Sequence, residues 1–215
     1  EGYLYSQTIV DEYTNFSWVQ NLQSKSDAGQ SLQDWVKYIE RSDTGHVPDL
    51  IYTFVTDQGG EYTSGELQSF FRSKGIRHQM GPPRTPQYNA IAERANRTVG
   101  EMSECLRKSA DLPLHYWGYA RETAAFIRNR CPSRSNPDSM TPYQMVCGDR
   151  PDLTHIRIFG SKCMVHIPRE DRPNKLSDKA FPATFMGYSE IFRSYLIVPN
   201  GSTKAIPARL VVLKF

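Results

Sequence analysis

Leu50-Ile51-Tyr52-Thr53-Phe54-Val55-Thr56-Asp57-Gln58-Gly59-Gly60-Glu61-Tyr62 decides how this chain is read: an apolar, β-branched run ends on a carboxylate and is broken by two glycines. The pattern puts Asp57 at the exposed end of a strand, with space beside it for a phosphate or a metal. A second carboxylate, Glu93, follows after 35 intervening residues, within Thr85-Pro86-Gln87-Tyr88-Asn89-Ala90-Ile91-Ala92-Glu93-Arg94. Thr85 as cap and Pro86 at the first helical position start a helix there. At about 100° per residue, Ile91, Ala95, Val99, Met102 and Leu106 fall roughly 160–240° from Glu93, whereas Asn89, Asn96 and Arg97 fall within about 60° of it. The apolar stripe faces a core, and Glu93 projects from the polar, partly basic side. A strand-end carboxylate covered by a helix-borne one makes half of a Mg2+ site of the kind that serves phosphoryl transfer. Taken alone, Glu93 also reads as an ordinary glutamate on a solvated helix face.

Outward from that pair, residues 3–10 and 16–22 read as two strands of a hairpin around Asp11-Glu12-Tyr13-Thr14-Asn15. Ser26-Asp27 caps a helix whose Leu32, Trp35, Val36 and Ile39 form a buried stripe. Past the Asp57 strand, Ser64 opens a short helix carrying Leu67, Phe70 and Phe71, and Ile76 to Met80 is a further strand. The order β-β-α-β-α-β-α suits an α/β layer fold with a mixed sheet. Pro113 begins another helix, residues 133–139 form a polar linker, and Thr141-Pro142 starts one more short helix. From Thr154 the character changes to five short strands, over 156–160, 162–167, 183–188, 194–198 and 210–215, the pattern of a small β-barrel.

The 215 residues, 39 % hydrophobic and 23 % charged, describe a globular chain with a core and room for one medium and one small domain. No apolar run reaches the length of a membrane span, so no membrane partner is expected. No basic-then-apolar leader precedes the first strand, and the chain starts on Glu1, so it reads as a piece of a longer one. Cys105, Cys131, Cys147 and Cys163 stand singly, which suits a reducing intracellular compartment better than a zinc site or a disulfide framework. The net charge of +3 hides an asymmetry: residues 1–60 hold three Lys/Arg against nine Asp/Glu, and residues 155–215 hold ten against four. An acidic, metal-binding region followed by a basic, phosphate-facing one accounts for that, as do two ordinary surfaces of unequal charge.

The runs T-D-x-G-x-E-Y/F at Thr56–Tyr62 and T-P-x-x-N-x-x-A-E-R-x-N-R from Thr85 resemble the integrase core of copia-type LTR retrotransposons. The likeness continues through Leu112-Pro113-x-x-x-Trp117, Asn129-Arg130, Thr141-Pro142-Tyr143, Arg157-x-Phe159-Gly160, Lys179-Ala180 and Met186-Gly187-Tyr188-Ser189, in family order. The resemblance implies an RNase H-like catalytic core over residues 1–132, a linker with a short helix over 133–153, and an SH3-like β-barrel over 154–215, as parts of a Pol polyprotein. It also implies DNA integration: 3′-end processing and strand transfer by metal-assisted in-line phosphoryl transfer, with three carboxylates holding two Mg2+ or Mn2+ ions. The partners implied are the element's DNA ends and target DNA, with a homo-oligomer as the working form and the nucleus as the place of integration.

Asp57 and Glu93 match the second and third carboxylates of that triad. The first stands in an H-S/T-D-x-x-G-P strand upstream of the hairpin, which the 215 residues do not contain, so the chain by itself is expected to be inactive or incomplete. Asp11 also ends an apolar strand and is a secondary candidate for a ligand, although the family position it matches serves turn chemistry. Gln87, Tyr88 and Asn89 at the loop-helix junction and Arg94 and Arg97 on the helix are candidates for DNA contact, Arg97 alternatively pairing with Glu101. His78 and His115 read as packing or solvent histidines. In the tail, Lys162, Arg169, Arg172, Lys175 and Lys179 interleave with Phe181, Phe185 and Tyr188, which suits non-specific nucleic-acid contact. SH3-like barrels also bind proteins. The rival to the enzyme is a non-catalytic nucleic-acid-binding or assembly remnant of a retroelement, and a ribonuclease H with the same core is a third reading.

Overall fold

The hairpin expected at the start is set by one aspartate. Strands β1 (Tyr5–Val10) and β2 (Ser17–Leu22) pair antiparallel from Tyr5 opposite Leu22 to Val10 opposite Ser17. The Asp11 carboxylate accepts from the Thr14 amide at 2.9 Å and the Thr14 hydroxyl at 2.5 Å, and Asn15 takes a positive φ of 60° to close the turn. This is a computed structural model, which describes residues 2–41, 51–57, 59–81, 89–189, 194–209 and 211–213.

Helix α1 (Ala28–Arg41) buries Leu32, Trp35, Val36 and Ile39, the stripe its periodicity predicts. Its entry is capped two residues earlier than the sequence indicates. Ser24 accepts from the Ser26 amide and Asp27 reaches back to the Ser24 amide at 2.8 Å, because a short 3-10 turn precedes the helix and puts Asp27 third rather than first. Strand β3 (Thr53–Thr56), helix α2 (Gly65–Ser73) and strand β4 (Arg77–Met80) form a parallel crossover unit, with Phe54 opposite His78 and Thr56 opposite Met80. Ile9, Leu32, Trp35, Val36, Ile39, Leu67, Phe71 and Ile76 make one core. A row of rings runs through it from Phe16 to Trp18, Trp35, Phe54 and Phe71, with successive centroids 4.6, 5.1, 6.1 and 5.7 Å apart. The hairpin, α1 and the crossover unit are thereby packed together, although the described strands form two separate two-stranded pairs.

The chain divides into two compact units: residues 2–98 with 128–151, and 99–127 with 152–215. The division falls inside helices α3 (Ala90–Ser109) and α4 (Trp117–Asn129). In the first unit, Asn129 pairs with Ser17 much as a strand would, accepting from its amide at 2.9 Å and donating to its carbonyl at 2.8 Å. Asn136 donates to the Thr14 carbonyl at 3.0 Å and accepts from the Asn15 side chain at 2.8 Å. Helix α5 (Pro142–Cys147) starts at the Thr141 cap, as the Thr-Pro signal indicates, and ends on Gly148 at φ 78°.

The second unit carries a five-stranded antiparallel sheet in the order β8-β7-β6-β5-β9, from β5 (Lys162–His166), β6 (Ala180–Ser189), β7 (Ser194–Pro199), β8 (Ile206–Ala208) and β9 (Val211–Leu213). Residues 156–160, expected as its first strand, are irregular instead. The Arg157 amide donates to the Tyr188 hydroxyl at 2.8 Å and its guanidinium to the Thr154 and Ile156 carbonyls, so local side-chain bonds take the groups a ladder would have used. Strand β8, which the sequence pattern does not announce, supplies the fifth member of the sheet.

A bulge at Met186 interrupts the β6–β7 register, and Gly187 follows at φ 129° with the Thr123 hydroxyl in the space a Cβ would need. Gly187→Ala is therefore expected to cost about 1–3 kcal/mol, from a strained backbone and a methyl set against Thr123. Urea unfolding of the variant against the parent chain measures it. No helix among the described residues is long and apolar enough to cross a membrane.

Candidate active site

Asp57 lies one residue beyond the β3–β4 ladder, whose closing bond runs from the Gly81 amide to the Thr56 carbonyl at 3.0 Å. Its carboxylate is exposed and accepts from the Gly59 amide at 3.1 Å, so the turn that frees the acid from the strand also holds it. The Glu61 carboxyl end lies where a Cβ on Gly59 would stand, so a side chain there would displace Glu61. Tyr62 stands half-buried beside the aspartate. Burial first, then the charges of Asp57 and Glu61, push its pKa up to about 12, and the protonated hydroxyl donates to Gln7 of β1 at 3.4 Å. Gln7 in turn donates to Gln20 of β2, which reaches the Ser31 carbonyl of α1. The loop after Asp57 is thus tied to the hairpin and to α1 by one polar chain.

Glu93 lies in the first turn of α3 and is exposed, while Ala95 and Val99 of the same helix are buried. Placing a carboxylate in the first turn is favourable to the helix, whose free amides point that way. Three residues on, Asn96 accepts from the Thr8 hydroxyl of β1 at 3.0 Å. The Asp57 loop and the Glu93 helix each touch β1, at Gln7 and at Thr8, consecutive residues whose side chains leave opposite faces of the strand. Arg94 and Arg97 are exposed on α3, and half-buried Asn89 precedes it. Gln87 and Tyr88 lie outside the described residues.

Asp11 spends one carboxylate oxygen on Thr14, as the hairpin requires. Among the described residues, no group of three or more His, Cys, Asp or Glu side chains stands together so as to hold a metal ion. His78, expected from the sequence to pack or to face solvent, is hydrogen-bonded through both ring nitrogens, to Gln68 and Thr56. Nothing in its spacing signals this, because the parallel register of β3 and β4 brings the partners together.

In the tail, Lys162, Arg169 and Lys175 are exposed. Arg172 is committed in part to its own backbone: its guanidinium donates twice to the Ile167 carbonyl, at 2.9 and 2.6 Å, and once to His166. The interleaved aromatics are not offered to a nucleic acid. Phe185 is buried in the sheet, Phe181 packs against the same core, and Tyr188 stacks on Phe126 with centroids 4.0 Å apart. The aromatics belong to β6, whereas Arg169, Arg172 and Lys175 stand in the segment that joins β5 to it.

Residues 1–86 match the integrase core domain family, and residues 161–213 match the retroviral polymerase SH3-like domain family. The chain is 34 % identical over 213 residues, 99 % of its length, to a retrovirus-related Pol polyprotein from transposon TNT 1-94 of Nicotiana tabacum. The chain carries an integrase core domain and a retroviral SH3-like domain, and its relatives are Pol polyproteins of copia-type transposons. Over 196 residues it is 31 % identical to the retrovirus-related Pol polyprotein from transposon RE1 of Arabidopsis thaliana. The chain spans only 16 % and 13 % of the lengths of these two polyproteins. Among solved structures, that of the simian T-cell lymphotropic virus intasome in complex with PP2A regulatory subunit B56 gamma shares its fold. The likeness has a TM-score of 0.52 at 19 % identity and covers 98 % of this chain and 72 % of that one. The α/β core of RNase H-like type and the small SH3-like β-sheet unit are thus those expected of integrase sequence. Asp57 and its turn fall inside the matched integrase core, and Glu93 lies seven residues past its end.

Proposed function

We propose that this chain serves DNA integration as part of a retrotransposon integrase, with Asp57 and Glu93 as two of the carboxylates that hold its metal. The observation that carries the reading is the Asp57 turn: an exposed carboxylate freed at a strand end, oriented by the Gly59 amide, within an integrase-core match. The donor set fits a hard divalent cation such as Mg2+ or Mn2+, since both groups are exposed carboxylates with oxygen donors alone. Divalent ions bound there would supply Lewis-acid chemistry for in-line transfer at a phosphodiester. The chain's own part is to hold two carboxylates from a rigid strand end and a helix. The basic side chains of α3 and of the sheet unit would meet element and target DNA, with a homo-oligomer as the working form and the nucleus as the place of reaction.

A strand-transfer assay tests this reading on two proteins, the 215-residue chain and a version extended at its N-terminus through the family's H-S/T-D-x-x-G-P segment. Two carboxylates hold a divalent ion weakly, so the shorter chain is expected to be inactive and the longer one active with Mg2+ or Mn2+. Inactivity of both, with DNA binding intact, would favour a non-catalytic nucleic-acid-binding or assembly role. Activity of the shorter chain that disappears on Asp11→Asn would move the first ligand to Asp11.

DNA binding by the sheet unit carries its own prediction. The chain is expected to bind duplex DNA without sequence preference, with affinity falling about 0.9 log units per decade of salt for each phosphate met. Removing Lys162, Arg169 and Lys175 together should flatten that slope by roughly 0.9 for each phosphate no longer met. Arg172 is left in place because it holds the Ile167 carbonyl. Binding that ignores salt, or that survives the triple change with its slope intact, would point to a protein-docking role for this unit.

A further inference from the structure

We propose that His78 is a positioning residue for the Asp57 site, acting through Thr56 as a hydrogen-bond relay of fixed polarity that holds the peptide from which the carboxylate projects. The polarity follows from the partners. The Gln68 amide nitrogen donates to the Tyr62 carbonyl at 3.2 Å, which fixes the orientation of that amide, and it also lies 2.7 Å from His78 Nδ1. Nδ1 must therefore accept. At the other end, the single hydroxyl hydrogen of Thr56 goes to the Asp57 carbonyl at 2.9 Å, so His78 Nε2, 2.9 Å from Thr56 Oγ1, must donate. The two constraints are independent and select the same species, neutral imidazole with its hydrogen on Nε2. Burial of the ring, which packs against Phe71 at 5.1 Å, also lowers the pKa of His78 and favours the neutral form.

The relay ends where the ladder ends. The backbone bond from Gly81 holds Thr56, and Asp57 is the first residue beyond it, so the Thr56 hydroxyl fixes the peptide plane that the strand no longer controls. That plane sets the start of the turn in which Gly59 donates to the Asp57 carboxylate. The same Gln68 side chain grips the Tyr62 carbonyl, so both ends of the loop from Asp57 to Tyr62 are anchored on α2 and β4 by one set of side chains. Outer partners that orient ligating groups are worth roughly 10–100-fold in metal affinity when removed.

The consequence for metal rests on the reading of Asp57 as a ligand, whereas the relay does not, and the test separates them. On the full chain, long-range 1H–15N spectra of the His78 ring are expected to show a protonated Nε2 and an unprotonated Nδ1 at neutral pH. His78→Phe, which keeps a ring against Phe71, and Thr56→Val should each speed exchange of the Gly59 amide and weaken Mn2+ binding by about tenfold or more. The double change should add little to either single one. His78→Gln, which restores a donor toward Thr56, should recover most of the loss. A proton on Nδ1, an imidazolium, or an unchanged Gly59 amide in folded His78→Phe would overturn the relay. Mn2+ affinity indifferent to Asp57→Asn would instead sink the metal reading, and the tautomer and the Gly59 amide would still decide the relay.

Discussion

Asp57→Asn or Glu93→Gln, made in the N-terminally extended chain, is expected to cut metal-dependent strand transfer by roughly 10^3-fold or more, since ion-supported charge stabilisation is worth several kcal/mol. Either change keeps the size of the side chain and removes its charge. Both residues are exposed, so neither change empties a core position. Asp57 loses little locally, because an Asn oxygen still accepts from the Gly59 amide. Glu93 sits in a first helical turn, where loss of its charge costs about 0.3–1 kcal/mol. Circular dichroism and the unfolding midpoint should therefore stay close to the parent while turnover disappears. A variant that loses activity and unfolds together would speak for structure. Retained activity in either variant would remove that residue from the site.

Phe71→Ala is expected to destabilise the first unit by about 3–5 kcal/mol, the range for emptying a buried aromatic site. Phe71 is 1 % exposed, stacks on Phe54 of β3 at 5.7 Å and packs against the His78 ring at 5.1 Å. Its loss opens a void between the strand that ends in Asp57 and the helix that supports it. Tyr13, 78 % exposed at the hairpin tip, is the control, and Tyr13→Ala should stay within about 0.5 kcal/mol of the parent. Urea titrations should show a lower midpoint for Phe71→Ala at an unchanged slope. A shift as small as that of Tyr13→Ala would mean that the row of rings does not carry the core.

Much of the first unit was legible because its signals are local. The stripe of α1 repeats at helical spacing, Asp11 makes its bonds to Thr14 three residues away, and the glycines after Asp57 break the strand and leave the acid exposed. The relay behind Asp57 was not legible. Thr56 and His78 are 22 residues apart and Gln68 and His78 are 10 apart, and only the parallel register brings them together. Asn129 could be read as a motif residue and Asn136 as part of a polar linker, but neither as a partner of Ser17 or Thr14, since those hydrogen bonds span 112 and 122 residues. In the tail, alternation announced strands without saying which face was buried. Phe181, Phe185 and Tyr188, which suit nucleic-acid contact on the sequence, are instead packing groups of the sheet unit. Residues 156–160 misled because their composition favours a strand, while the Arg157 amide goes to the Tyr188 hydroxyl and the Gly160 amide meets β6 at the Phe185 carbonyl without a ladder forming.

If Asp57 and Glu93 serve one divalent ion, crystals of the 215-residue chain soaked in manganese will show an anomalous peak in contact with oxygens of both carboxylates, absent in Asp57→Asn. Carboxylates held on opposite faces of the core, more than roughly 10 Å apart where two-metal centres span about 3.5–4 Å, with manganese bound elsewhere or not at all, would contradict it.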